Sequence, residues 1–279
     1  MKRLFASLAL ALLLNQTASA LAPTQHDLPY GSDADQRFDV YAPPQTHGAP
    51  VILMVHGGGW FRGDKEMSRV VDNKAERWVA QGIVFISVNY RMQPKAAPLE
   101  QARDVARALA AAQKHAAEWG GDPQRFILMG HSAGAHLVAL LNARPELATE
   151  QGARPWLGSV LLDSGALDVP AIMNQRHFPL YDRAFGNDPD YWQEVSPYQQ
   201  LQASSPPVLA VCSSRRRIAC PEAKRFVAKA SNLGTRASVL EMDLTHGEIN
   251  ERLGEPSAYT AEVETFLRKL DRELAQRLH

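Results

Sequence analysis

Gly130-His131-Ser132-Ala133-Gly134 follows the apolar run Phe126 to Met129 and precedes the helix-like run Ala135 to Leu141. The order reads strand, tight turn, helix. A serine at the apex of such a turn is pushed into an exposed position, its hydroxyl above a parallel sheet and its neighbour's N–H aimed at the same point. Glycine at both ends lets backbone pass where a side chain would collide. G-x-S-x-G is common by chance, and a helix start capped by Ser132 is the competing reading. What lies on either side of the turn favours the nucleophile.

Upstream, His56-Gly57-Gly58-Gly59-Trp60 directly follows the strand-like run Val51 to Val55. Three glycines at a strand's carboxyl end expose backbone N–H groups in a curve, which suits a developing oxyanion. A phosphate cradle is the rival, but no Lys-Ser/Thr pair follows at P-loop spacing. Gly58, Gly59 and Ala133 are the candidate donors. Downstream, a base is expected in a loop after the last strand, and Thr245-His246-Gly247 sits there. Of nine histidines only His246 has that placement. His131 and His136 read as packing or capping residues beside the serine, and His56 as a hydrogen-bonding prop for the glycine loop.

Apolar, β-branched runs alternate with helix-period segments from about residue 50, the pattern of a parallel α/β sheet covered by helices on both faces. The strand candidates are Val51 to Val55, Val84 to Val88, Arg125 to Met129, Ser159 to Leu162, Val208 to Val211 and Ala237 to Leu240. Ala102, Val105, Ala106, Leu109 and Ala116 share one helix face; Ala223, Phe226, Val227, Ala230 and Leu233 share another. Val263, Phe266, Leu267, Leu270 and Leu274 share the face of a single closing helix. Arg37 to Tyr41, ending at Ala42-Pro43-Pro44, suits an antiparallel edge strand. Residues 170–207 are rich in Pro, Asn, Asp, Tyr and Trp without sustained period, and read as a cap or lid. Within it Tyr181, Phe185, Tyr191 and Trp192 suit either a pocket mouth or a small satellite core.

Lys2-Arg3, the apolar run Leu4 to Leu14 and Ala18-Ser19-Ala20 read as a signal peptide over residues 1–20. The apolar run is too short for a retained anchor, so a bacterial exported protein, periplasmic or secreted, is expected over residues 21–279 as one domain. Thirty basic residues balance thirty acidic ones, giving no field to attract nucleic acid or an anionic membrane. Arg215-Arg216-Arg217 is the only basic run, with a solvated loop as its plain reading and an anion site as the alternative. In an oxidising compartment Cys212 and Cys220 are expected to pair, a closure worth about 2 to 3 kcal/mol by chain entropy. No oligomeric state is legible.

H-G-G-G-W before G-H-S-A-G, with Gly63-Asp64-Lys65, Asn89-Tyr90-Arg91, Trp119-Gly120-Gly121-Asp122-Pro123 and a late His-Gly, resembles the α/β-hydrolase fold carboxylesterases. The likeness is to the hormone-sensitive-lipase-like and feruloyl-esterase-like groups, which also include arylformamidases, and it spans about Phe38 to Leu270. It implies a Ser132 nucleophile, a His246 base, oxyanion donors from Gly58, Gly59 and Ala133, a small-molecule ester substrate and no metal or organic cofactor.

One part of the resemblance fails. The family's acid normally lies about four residues before the proline that opens the helix after the strand Val208 to Val211; here that position is Arg217, and Ser213 to Cys220 holds no carboxylate. Asp163, at the carboxyl end of the strand Ser159 to Leu162, ranks first, as in the pancreatic-lipase branch of the fold. Asp168, Glu222 and Asp243 are the alternatives, Asp168 matching a structural aspartate of the family and Glu222 a helix start. Loss of the acid altogether would leave a hydrolase-fold binding protein. Glu100 and Asp104 read as structural partners of Arg103 and Arg107, and Glu248 as either a helix cap or a substrate contact.

Overall fold

The computed structural model describes residues 21–278, so the proposed signal peptide lies outside the described residues. Eight strands, β1 (Gln25–Pro29), β2 (Arg37–Tyr41), β3 (Ala49–Val55), β4 (Val84–Val88), β5 (Gly121–His131), β6 (Gly158–Leu162), β7 (Val208–Ser213) and β8 (Ala237–Met242), form one sheet in the order β1-β2-β4-β3-β5-β6-β7-β8. β2 runs antiparallel to both β1 and β4, and every other pair is parallel. The helices are α1 (Ser68–Ala80), α2 (Pro98–His115), α3 (Ala133–Ala143), α4 (Glu146–Thr149), α5 (Val169–Met173), α6 (Pro179–Phe185), α7 (Pro189–Glu194), α8 (Pro197–Gln200), α9 (Ala219–Asn232), α10 (His246–Glu251), α11 (Ala258–Arg268) and α12 (Arg272–Arg277). None among the described residues is long and apolar enough to cross a membrane.

The two-residue period of β3 explains how the layers hold. Val51, Leu53 and Val55 pack into one core with residues of α2, α3 and α9, while Ile52 and Met54 face the other core with α1, α11 and α12. Each such side chain, fully buried, contributes roughly 1.5 to 3 kcal/mol. The chain leaves β3 toward β4 on one side and returns to β5 on the other. The strand order therefore reverses at β3, and the crevice beyond the carboxyl ends of β3 and β5 is where such sheets bind ligands. Both glycine motifs fall there.

Two expectations need correction. Arg37 to Tyr41 is not the edge: β1 covers it. Gln-His-Asp-Leu-Pro lacks an apolar run because the strand is largely exposed. The closing helix is two helices, because Asp271 breaks the run and caps α12 through the Glu273 N–H at 2.8 Å. The segment 170–207 folds as α5 to α8, a helical cap between β6 and β7. It is seated on the sheet by aromatic packing: Trp60 of the glycine loop lies 4.9 Å from Phe185 and 6.0 Å from Tyr181 between ring centroids.

Candidate active site

Ser132 stands between β5 and α3 at φ 55°, ψ −117°, a backbone state that costs a non-glycine residue roughly 1 to 3 kcal/mol. The flanking glycines make it attainable. A Cβ on Gly130 would collide with the Gly134 carbonyl, and one on Gly134 with the carbonyls of Val55 and His56. The serine that results is held by its N–H, which donates to the Leu162 carbonyl at 2.9 Å.

His246 opens α10. Thr245 caps that helix and Glu248 completes a capping box with it, so Glu248 takes the structural role of its two readings. Ser132 Oγ–H donates to His246 Nε2 at 3.0 Å, and His246 Nδ1–H donates to Asp163 Oδ2 at 2.6 Å. Asp163 is fully buried, 0 % exposed, at the end of β6 and also at positive φ, 55°. Its Oδ1 accepts the Ser213 N–H at 2.8 Å, and Oδ2 accepts Arg216 Nη1 at 2.7 Å. Burial opposes ionisation, but the His246 hydrogen bond, the Arg216 charge and the Ser213 amide outweigh it and hold the carboxyl at about 2.

The other carboxylates lie elsewhere. Asp168 caps α5 and pairs with Arg225 at 2.8 Å. Glu222 accepts the Leu167 N–H at 3.2 Å, and burial pushes its carboxyl up to about 8. Asp243, 82 % exposed, pairs with Arg215. Asp104 is buried in a cluster with Arg91, Arg107 and Gln36, and Glu100 pairs with Arg103.

Arg216 is the residue that sequence reasoning missed. The run Arg215 to Arg217 is not simply a solvated loop, since Arg216 also donates to the Asp163 carbonyl at 3.0 Å and lies 3.2 Å from His246 Nδ1. That last contact joins two donors and is tolerable because both share Asp163 Oδ2. The signal was present as an arginine run in the loop where the resemblance would place a carboxylate. The Cys212–Cys220 disulfide joins β7 to α9 and closes that loop.

Three more histidines complete the surroundings. His131 Nε2–H donates to the His246 carbonyl at 2.9 Å and its ring lies 4.5 Å from that of His246; burial and the neighbouring imidazole hold it down to about 3. His136 accepts Trp60 Nε1–H at 3.2 Å and donates to the Val195 carbonyl at 2.8 Å, tying the glycine loop to the cap as a neutral ring. His56 Nδ1–H donates to the Gly57 carbonyl at 2.8 Å and stacks on Tyr90.

These groups surround a cleft of about 710 Å³ that takes in Gly58, Gly59, Ser132, Ala133, Arg216 and His246. The N–H groups of Gly58, Gly59 and Ala133 donate to no other group among the described residues. Gly58 and Gly59 both sit at positive φ. Tyr181 lines the cleft while Phe185 is core, and Tyr191 and Trp192 pack against the core away from the cleft. The arrangement can move a proton between a hydroxyl and an imidazole beside three free amide donors. One exposed trio among the described residues, His26, Asp27 and Glu66, brings metal-type donors together. Lys65 Nζ already engages its carboxylates at 2.9 and 2.7 Å.

Residues 38–223 match the BD-FAE family. The chain is a member of that family. This BD-FAE protein has the α/β-hydrolase fold, and the esterase of Thermogutta terrifontis shares it, with a TM-score of 0.72 and 21% identity over 89% of this chain and 92% of that one. Esterase LipC of Mycobacterium tuberculosis is 29% identical over 77% of this chain and 57% of its own length. Kynurenine formamidase of Salmo salar is 29% identical over 57% of this chain and 51% of its own. The BD-FAE chain thus spans about half the length of these two relatives.

Proposed function

We propose that the chain is a serine hydrolase of carboxylic esters. The observation that carries this reading is the unbroken line Asp163 Oδ2, His246 Nδ1 and Nε2, Ser132 Oγ, at 2.6 and 3.0 Å, opening onto a cleft with unengaged amides. Ser132 Oγ attacks the ester carbonyl and its proton passes to His246 Nε2. The oxyanion receives hydrogen bonds from Gly58, Gly59 and Ala133, each worth roughly 3 to 4 kcal/mol in the transition state. Collapse expels the alcohol, which takes the proton from His246. Water then repeats the sequence on the acyl-serine and releases the acid. Asp163 holds the imidazole in the tautomer that keeps Nε2 free, and the site needs no cofactor for these steps.

Ser132→Ala is expected to lower kcat for a p-nitrophenyl ester by roughly a millionfold and to abolish labelling by a fluorophosphonate. Retention of wild-type turnover by the variant refutes the reading. A fluorophosphonate-inert wild type would instead restore the binding-protein alternative, which Asp163 within reach of His246 speaks against. The kynurenine formamidase likeness favours a second reading, hydrolysis of an aryl formamide by the same groups. Side-by-side kcat/KM on acetyl, butyryl and feruloyl esters and on N-formylkynurenine separates the two.

The reading extends to export from a bacterial cell, supported by residues 1–20 and by a disulfide suited to an oxidising compartment. Protein recovered from the periplasm or medium should begin near Leu21; a cytosolic product retaining Met1 contradicts it.

A further inference from the structure

Among the described residues the wall of the cleft carries three guanidinium groups, Arg62, Arg69 and Arg216, and no aspartate or glutamate. In a chain whose charges balance overall, that concentration is local. Arg216 is neutralised from behind by Asp163. Arg62 and Arg69 are exposed and form no ion pair among the described residues.

Asn250 is an independent mark on the same wall. Its side chain is buried, with the residue 1 % exposed, and among the described residues neither its amide oxygen nor its amide nitrogen has a partner. An unpaired buried amide costs about 1 to 3 kcal/mol per group, so a fold that keeps one on a cleft wall has a use for it. Lys74 locates the pair: its buried ammonium donates to the backbone carbonyls of both Arg69 and Asn250. The two backbone segments are therefore neighbours, and both residues line the cleft, to which Phe178, Leu180 and Tyr181 give an apolar wall.

We propose that the cleft takes an ester carrying a carboxylate in addition to the scissile group, held by Arg69 and Asn250 with Arg62 nearby. The guanidinium fork matches the two oxygens of a carboxylate, and the Asn250 N–H₂ donates to one of them. Such substrates are half-esters of dicarboxylic acids or esters of hydroxyaryl acids, the rest of the molecule lying against the apolar wall. The inference rests on the esterase reading but is tested apart from it.

Two matched pairs separate the anion's position: monophenyl adipate against phenyl hexanoate for the acyl side, and 4-acetoxyphenylacetate against 4-ethylphenyl acetate for the alcohol side. At low ionic strength, kcat/KM in at least one pair is expected to favour the anion tenfold or more. Arg69→Glu, an exposed substitution, and Asn250→Asp should each cut that ratio at least tenfold, and Arg69→Gln by less. Equal or lower kcat/KM for both anions, or a preference that survives Arg69→Glu, overturns the proposal while Ser132-dependent hydrolysis of the neutral esters keeps the esterase reading. If no ester is turned over, the esterase reading falls alone. Calorimetric binding then decides the anion site: 4-hydroxyphenylacetate should bind at least tenfold tighter than 4-ethylphenol and lose that margin in Arg69→Glu, and equal binding rejects it.

Discussion

Around Ser132 the side of the cleft after β3 and β5 presents backbone amides, whereas the side after β6, β7 and β8 presents charged and titratable side chains. The first wall consists of amides and a strained serine whose geometry only glycine neighbours permit. Gly130 and Gly134 leave no room for a Cβ, and Gly58 sits at a φ of 129°. The second wall is a convergence of Asp163, Ser213, Arg216 and His246 from separate loops, held by hydrogen bonds. A backbone wall constrains residue type at each position. A side-chain wall constrains only where charged tips meet, so the carboxylate that meets His246 can sit after β6 while arginines occupy the loop after β7.

The sharpest way to break the comparison is at Asp163. Asp163→Asn should lower kcat/KM for a p-nitrophenyl ester about ten-thousandfold, or about 5.5 kcal/mol, because the amide no longer selects the Nδ1–H tautomer. A loss under tenfold would mean another group orients His246. The same variant changes acid stability: a carboxyl held at about 2 instead of 3.8 stabilises the fold above 3.8, and that contribution disappears as pH falls through about 2. Denaturant titrations from pH 2 to 5 should therefore be flatter for Asp163→Asn.

On the backbone wall, Gly58→Ala drives a Cβ into the Arg62 carbonyl and displaces one amide donor. The expected loss is 10²- to 10³-fold in kcat, roughly 3 to 4 kcal/mol, with an unaltered pH–rate profile because no titrating contact changes. A shifted profile would show that the two walls are coupled. Removing the staple on the side-chain wall is a milder insult. Cys212→Ser with Cys220→Ser should lower unfolding free energy by about 2.5 kcal/mol and reduce kcat/KM several-fold through looser placement of Arg216, leaving Gly58-dependent donation intact.

The smallest effect on turnover is expected at Glu222, which borders the side-chain wall without touching His246. Its carboxyl is raised from 4.5 to about 8, so the folded state holds a proton that the unfolded state has released between those values. Stability from this group is full below 4.5 and is lost as pH rises through about 8. Glu222→Gln should leave stability near wild type at pH 5 and raise it relative to wild type at pH 9, read by denaturant midpoints.

Five of the six parallel strands were legible as short, buried apolar runs bounded by turn signals, and β8, which is only partly buried, by its place in the alternation of strands and helices. β1 was not, since an exposed edge strand needs no apolar face. The break at Asp271 was hidden by Leu270 and Leu274, which continue the same apolar stripe across two helices. Asp163 could be ranked first because strand ends at the carboxyl edge face the crevice. Arg216 could not be assigned, because a guanidinium's reach exceeds what residue spacing predicts.

By itself the sequence determined the parallel sheet, the glycine-bounded turn at Ser132, the amide-rich loop at Gly57 to Gly59 and the order in which serine and histidine follow one another. These are local matters, in which steric exclusion of a Cβ or a two-residue apolar period acts on adjacent residues. Only the tertiary structure decided which carboxylate meets His246, that Arg216 shares that carboxylate, and that Arg69 and Asn250 line one cleft. Those contacts join residues as far apart as Asp163 and His246, 83 positions, and their energy depends on distances that the fold sets and no short stretch of chain encodes.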